Sequence, residues 1–214
     1  MSLRHTVAFL LLVLPLARGD EPSLSADTGW QRIDEKSGVT LLSRKRVGSD
    51  IKEFKGTGII EAPPGIVEKV IEDVDEYLAF MPFMAEARVI SQQGDKVTVY
   101  QRLNPPLVSN RDYTVLVEHG AITRPDGTII YRDTWQTDND AGPAERPGVV
   151  RVKINEGSWL LEPAGPNATQ ATYQIYTDSG GILPVFIVNH ASQLAIPRLF
   201  EAVRKQALNP KYRH

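Results

Sequence analysis

Three polar side chains occupy positions where the surrounding pattern asks for apolar ones. In a β-strand alternate residues line one face. Along 111–119 the odd positions Tyr113, Val115 and Val117 are apolar, and Arg111 shares their face. Along 128–136 Ile129, Tyr131 and Trp135 share a face with Asp133, and along 96–103 Val97, Val99 and Leu103 share one with Gln101. One guanidinium, one carboxylate and one carboxamide therefore point toward the apolar side from three successive strands. A buried unpaired charge costs several kcal/mol. Arg111 and Asp133 are accordingly expected either to pair with one another as a structural salt bridge or to meet the polar end of a ligand. Asp112, of opposite phase, is expected to face outward.

Groupings that would carry covalent or metal chemistry are not found in the sequence. The chain has no cysteine, which removes thiol catalysis, disulfides and cysteine metal sites together. His119 is expected as a strand-end surface residue and His190 on the polar face of a helix, and neither belongs to a spaced metal pattern. There is no Gly-x-Ser-x-Gly elbow and no phosphate-cradling glycine loop. Asp138-Asn139-Asp140 lacks the glutamate a calcium loop requires. No catalytic residue, metal or cofactor is expected. The formal charge is −2 and the longest basic tract is Arg44-Lys45-Arg46, so a nucleic-acid partner is not expected.

These residues must be held by elements readable from periodicity. Strand patterns run over 39–47 and 51–60, joined through Gly48-Ser49-Asp50. Over 65–78, Ile66, Val67, Val70, Ile71, Val74 and Leu78 recur at helical steps, with Pro64 at the start, where a missing N–H is harmless. Further strands are predicted over 87–92, 96–103, 111–119, 128–136, 149–161 and 170–177. The even-to-odd phase change near Glu156-Gly157 predicts a bulge or turn, and 138–147 reads as a polar loop. After Gly180-Gly181 a long helix is predicted over 183–208, kinked at Pro197. The order is that of one α+β domain: a curved antiparallel sheet whose concave face can be covered only by the last helix.

The first 19 residues read as a secretory signal. Arg4 and His5 precede the apolar run Val7 to Leu14, and Ala17-Arg18-Gly19 supplies small residues for cleavage. The run is too short for a mature transmembrane helix, which needs about 20 residues. A periplasmic or secreted domain comprising residues 20–214, with its core at about 30–208, is expected.

Phe54-Lys55-Gly56, Tyr77-Leu78-Ala79-Phe80-Met81-Pro82, Val108-Ser109-Asn110-Arg111-Asp112-Tyr113, Gly157-Ser158-Trp159 and Gly180-Gly181-Ile182-Leu183-Pro184 occur in that order. Together they resemble the START (StAR-related lipid transfer) domain, in particular its exported bacterial members. The resemblance implies a helix-grip fold with an internal apolar tunnel for one lipid such as a sterol or phospholipid, and no catalysis. It implies that Arg111, with Asp133 or Gln101, contacts the lipid's polar end. In the family the arginine's partner is often an acid on the preceding strand, where this chain has Gln101 and no inward acid. Tyr113, Trp135, Trp159, Tyr173, Met81, Met84, Phe186 and Ile187 are candidates for core or tunnel lining. Leu107 and Val108, at the tip of a stiff Pro105-Pro106 loop, are candidates for a lid that touches lipid during transient membrane contact. A monomer is the default. The alternatives are a polyketide cyclase or aromatase-like enzyme of the same superfamily and an envelope interaction protein that holds no lipid.

Overall fold

A computed structural model describes residues 29–106 and 108–213; the signal segment 1–19 and Leu107 lie outside the described residues. Eleven strands form one sheet: β1 (Gln31–Lys36), β2 (Val39–Arg46), β3 (Ser49–Ile60), β4 (Met84–Gln93), β5 (Lys96–Leu103), β6 (Asn110–Glu118), β7 (Ala121–Thr123), β8 (Ile129–Thr137), β9 (Val149–Arg151), β10 (Ile154–Pro163) and β11 (Thr169–Asp178). The spatial order is β1-β2-β3-β11-β10-β8-β6-β5-β4, with β7 on β8 and β9 on β6. All pairings are antiparallel except β6 with β9. Helix α1 (Pro64–Glu72), a short 3₁₀ turn and α2 (Tyr77–Phe80) link β3 to β4, and α3 (Val185–Gln206) follows β11. This is the helix-grip arrangement, with α3 against the concave face. Among the described residues no helix is long and apolar enough to cross a membrane.

The grip depends on two glycines. A β-carbon on Gly56 would lie 2.4 Å from Ile196 Cγ2, and one on Gly58 would lie 2.8 Å from the Gly38 carbonyl oxygen. Without side chains at these positions, Ile196, Phe200 and Val203 of α3 pack onto β2 and β3. They form a buried core with Val39, Leu41, Phe54, Trp159 and Leu161. Arg204 then ties the helix to the sheet edge, donating from Nε to the Ile59 carbonyl at 2.9 Å and from Nη2 to that of Gly38 at 3.2 Å. The amino-terminal half of α3 is held more loosely: Phe186 is 72 % exposed, and Val185, Ile187 and Leu194 are also exposed.

The structure departs from the sequence expectations in several places. β1 and β7 carry no alternating pattern, every residue in both being exposed, and neither is among the strands the sequence predicts. The expected helix 65–78 ends at Glu72 and resumes as separate short turns. The break in 149–161 falls at Val152-Lys153, which separate β9 on β6 from β10 on β8. α3 spans Val185–Gln206, two residues shorter at each end than expected, with Pro197 inside it.

Candidate functional site

The concave face has two chemically distinct ends and an aromatic floor between them. At one end, the loop from β5 to β6 (Asn104, Pro105, Pro106, Val108, Ser109) faces Arg111, Val150 and the Gly181-Ile182-Leu183 segment that leads into α3, across a cleft of about 540 Å³. That volume lies within the usual range of ligand pockets. Gly180 and Gly181 both adopt positive φ, and a β-carbon on Gly180 would sit 2.7 Å from the Arg151 carbonyl oxygen. The tight passage from β11 to α3 thus needs glycine.

Arg111 is 7 % exposed. Its Nη1 donates to the Ser109 carbonyl at 2.6 Å, and burial pulls its guanidinium below the ordinary value. Two residues along β6, Tyr113 donates its hydroxyl proton to Gln101 Oε1 on β5 at 2.9 Å. Burial pushes the Tyr113 phenol up to about 12.

The floor is built on β8, β10 and β11. Trp135 stacks on Tyr173 at 5.6 Å between centroids; Tyr173 contacts Trp159 at 4.7 Å, and Trp159 contacts Phe200 at 5.4 Å. Such offset aromatic contacts add to area burial. The Trp135 indole N–H donates to Asn155 Oδ1 at 2.9 Å. A β-carbon on Gly157 would lie 2.5 Å from the Trp135 ring, so this glycine makes the seat for the indole. On the other flank Phe80, Met81, Met84, Tyr113, Val117 and Trp135 pack around Val97, Val99 and Val115 while remaining only partly buried.

At the far end Asp133 is 1 % exposed and lies under α1. His119 Nδ1 is 2.8 Å from Asp133 Oδ1 and 3.6 Å from Glu72 Oε1. Burial alone would lower the imidazole, but the hydrogen bond and charge of Asp133, with Glu72 and Asp95, hold it above its ordinary value. Glu68 of α1 joins the group; burial and then the charges of Asp133 and Glu72 push its carboxyl up to about 9.

No family model matches the chain. An uncharacterized protein of Pseudomonas aeruginosa, PA1579, is 29 % identical over 161 residues, covering 75 % of this chain and 77 % of the other. The phosphatidylcholine transfer protein of Rattus norvegicus is 25 % identical over 190 residues, covering 88 % of each. A STAR-related lipid transfer protein from Xanthomonas axonopodis superposes with a TM-score of 0.75 at 25 % identity, over 85 % of this chain and 99 % of that one.

In sequence and fold the chain is similar to START (StAR-related lipid transfer) domains.

The expected site residues divide between the two ends and the floor. Arg111, Asp133 and Gln101 do share the concave face, but Arg111 and Asp133 do not pair. Val115 lies opposite Thr137 and Val117 opposite Trp135, so Asp133 falls level with His119 at the other end of β6. Eight residues of strand, roughly 26 Å, separate it from Arg111. Among the described residues no carboxylate ion-pairs with Arg111, and the partner of Asp133 is His119. His119 is therefore a half-buried member of a cluster, not a free surface group. Asp112 does have the opposite phase but is 1 % exposed. Arg151, from the segment that folds back over the convex side, donates to it at 2.7 and 3.2 Å, and Tyr100 of β5 donates at 3.1 Å.

Val108 lines the cleft; Phe186 and Ile187 are exposed on the free half of α3. Asn155 and Tyr173 complete the floor. Tyr173 was expected as core or tunnel lining; Asn155 was not, although it shares the odd phase of Trp159 and Leu161. Glu68 was detectable as a charge three residues before Ile71 on the apolar stripe of α1.

Proposed function

We propose that this domain holds one lipid molecule between its concave face and α3, and carries it between membranes without altering it. The observation that carries the reading is the uneven cover of the sheet. α3 seals β2, β3 and Trp159, whereas Met81, Met84, Tyr113, Val117 and Trp135 pave the neighbouring concave surface and stay only partly buried. An acyl or sterol body laid on that surface would gain about 0.8 kcal/mol per methylene removed from water. Arg111 stands where such a body would meet the cleft. A guanidinium has five donors, and a single backbone carbonyl takes one of them. The others suit a phosphate or hydroxyl at the lipid's polar end, where charge-assisted hydrogen bonds are strong.

In this reading the Pro105-Pro106 loop, with Leu107 and Val108, and the exposed Ile182 and Phe186 form a lid that opens against a bilayer. The chain acts as a monomer outside the cytoplasm, delivered by its first 19 residues. The lipid-transfer names of the rat and Xanthomonas proteins support the class of cargo.

The test is mass spectrometry of organic extracts from the purified protein and from Arg111→Leu. A stoichiometric lipid whose polar class changes in the folded variant is expected. A protein that is empty and takes up no added phospholipid or sterol refutes the reading. A bound compound that changes mass on incubation would instead identify an enzyme.

A further inference from the structure

We propose that Glu68, His119 and Asp133, with Glu72 at the rim, form a binding site for one divalent transition-metal cation, with Zn²⁺ as its probe. One donor atom from each of the three core residues lies within 4.8 Å of the others. The donors come from three separate elements: Glu68 from α1, Asp133 from β8, and His119 from the residue that follows β6. Glu68 is 5 % and Asp133 1 % exposed, so neither carboxylate can turn to bulk water. Glu68 Oε2 and Asp133 Oδ2 have no hydrogen-bond partner. Buried carboxylate oxygens that face one another and one imidazole, with no further donor beyond that imidazole and a proton the two carboxyls would share, form an acceptor-rich pocket of the kind a cation fills.

The donor chemistry selects the ion. One imidazole with two or three carboxylates and no sulfur is suited to Zn²⁺ or a neighbouring transition metal, not to an all-oxygen calcium cage. Metal–donor bonds of about 2.0–2.1 Å in a tetrahedron place donor atoms roughly 3.3 Å apart. The present group must therefore contract by an ångström or so on binding. Glu72, whose side chain is 44 % exposed and whose Oε1 is 3.6 Å from His119 Nδ1, sits on the access route and can supply the fourth donor. Binding replaces the proton on His119 Nδ1 and any proton held by Glu68, and both leave to solvent. The ion would fasten α1 across the end of the sheet, at the opposite end from the Arg111 cleft. The proposal is therefore independent of the identity of any lipid.

The test is zinc uptake by the chelator-stripped, purified chain, read by elemental analysis and by thermal unfolding. One equivalent of Zn²⁺ is expected, with proton release and a Tm rise of roughly 5–10 °C at a hundredfold excess over Kd. Glu68→Gln and His119→Gln should lose at least tenfold in affinity, whereas His190→Ala, on the exposed side of α3, should bind as before. No uptake by the unaltered chain overturns the proposal and leaves a shared proton as the closure of the cluster. Uptake unchanged in Glu68→Gln and His119→Gln also overturns it, by placing the ion elsewhere. Should those variants fail to fold, zinc X-ray absorption on the unaltered chain decides: one imidazole nitrogen with carboxylate oxygens is expected, and a shell without imidazole refutes the site.

Discussion

The seat of α3 on the sheet can be tested at a single atom. Gly56→Ala adds one methyl group on the concave face of β3. Its carbon would lie 2.4 Å from Ile196 Cγ2, 3.2 Å from Val39 Cγ1 and 3.4 Å from Phe200 Cε2. Carbon atoms reach their attractive minimum at about 3.5–4.0 Å, so the first contact is short by more than 1 Å. None of the three neighbours can yield into solvent: Ile196 is 2 % exposed, and Val39 and Phe200 are fully buried. Either the helix lifts or the strand bows. Overpacking of this kind costs about 1–3 kcal/mol, which for a domain of this size lowers Tm by roughly 2–12 °C. The assay is thermal unfolding followed by far-UV circular dichroism on the single variants Gly56→Ala and Ile196→Ala and on the double variant. Ile196→Ala alone costs about 2–5 kcal/mol through its cavity, but it removes the clashing methyl. The double variant should therefore be more stable than the sum of the two losses predicts, by at least 1 kcal/mol of coupling. Strict additivity, or a Gly56→Ala protein with an unchanged Tm, would refute the close approach as the basis of the grip.

Other expectations follow from contacts of comparable definition. Arg151→Met strands the Asp112 carboxylate in the interior and should cost about 3–5 kcal/mol in denaturant unfolding; adding Asp112→Leu should recover part of it, because a buried pair replaced by apolar groups loses little. Tyr113 ionises in the unfolded chain near its ordinary value of 10 but in the folded state only at about 12. Between those values the folded state holds the extra proton, so stability should fall as pH rises above 10, together with a late phenolate absorbance step that Tyr113→Phe removes. Lipid uptake should change the emission of Trp135, which lies on the floor and donates to Asn155, and Trp135→Phe should remove most of that change. Val108→Asp should slow lipid exchange between vesicles severalfold while leaving Tm within about 1 °C, since a half-exposed loop residue contributes little to folding.

Strand phase was legible in the sequence; strand register was not. Alternation placed Arg111, Gln101 and Asp133 on one face because each shares its strand with apolar neighbours of the same parity, and that face is the concave one. Which residues lie opposite one another depends on the length and path of the connection from β6 to β8. The short β7 excursion there sets Asp133 beside His119 and far from Arg111. For the same reason Glu68 and His119 gave no joint signal: they become neighbours only when α1 docks on the end of the sheet. Asp112 was read outward because parity cannot show that residues 138–151 fold back over the convex face and bring Arg151 to it. The helix-grip architecture itself was recoverable, since only 183–208 is long enough to cover the concave face. The exposed half of α3 was not, because Phe186 and Ile187 are as apolar as the buried Ile196 and Phe200.

The sheet order imposes a schedule on the growing chain. β3 finds its second neighbour only in β11, with Ile60 against Thr169 and Phe54 against Ile175, about 110 residues later in synthesis. Until β11 arrives, the hairpin of β2 and β3 presents Val39, Leu41 and Phe54 with nothing to cover them, and its free edge offers unpaired amides to any passing strand. α3, which buries that same row, arrives later still. Folding is therefore governed by the last third of the chain and belongs to the slow, non-local class that takes milliseconds to seconds. A truncation within β11 would release the amino-terminal hairpin as an aggregation-prone fragment instead of leaving a smaller working domain.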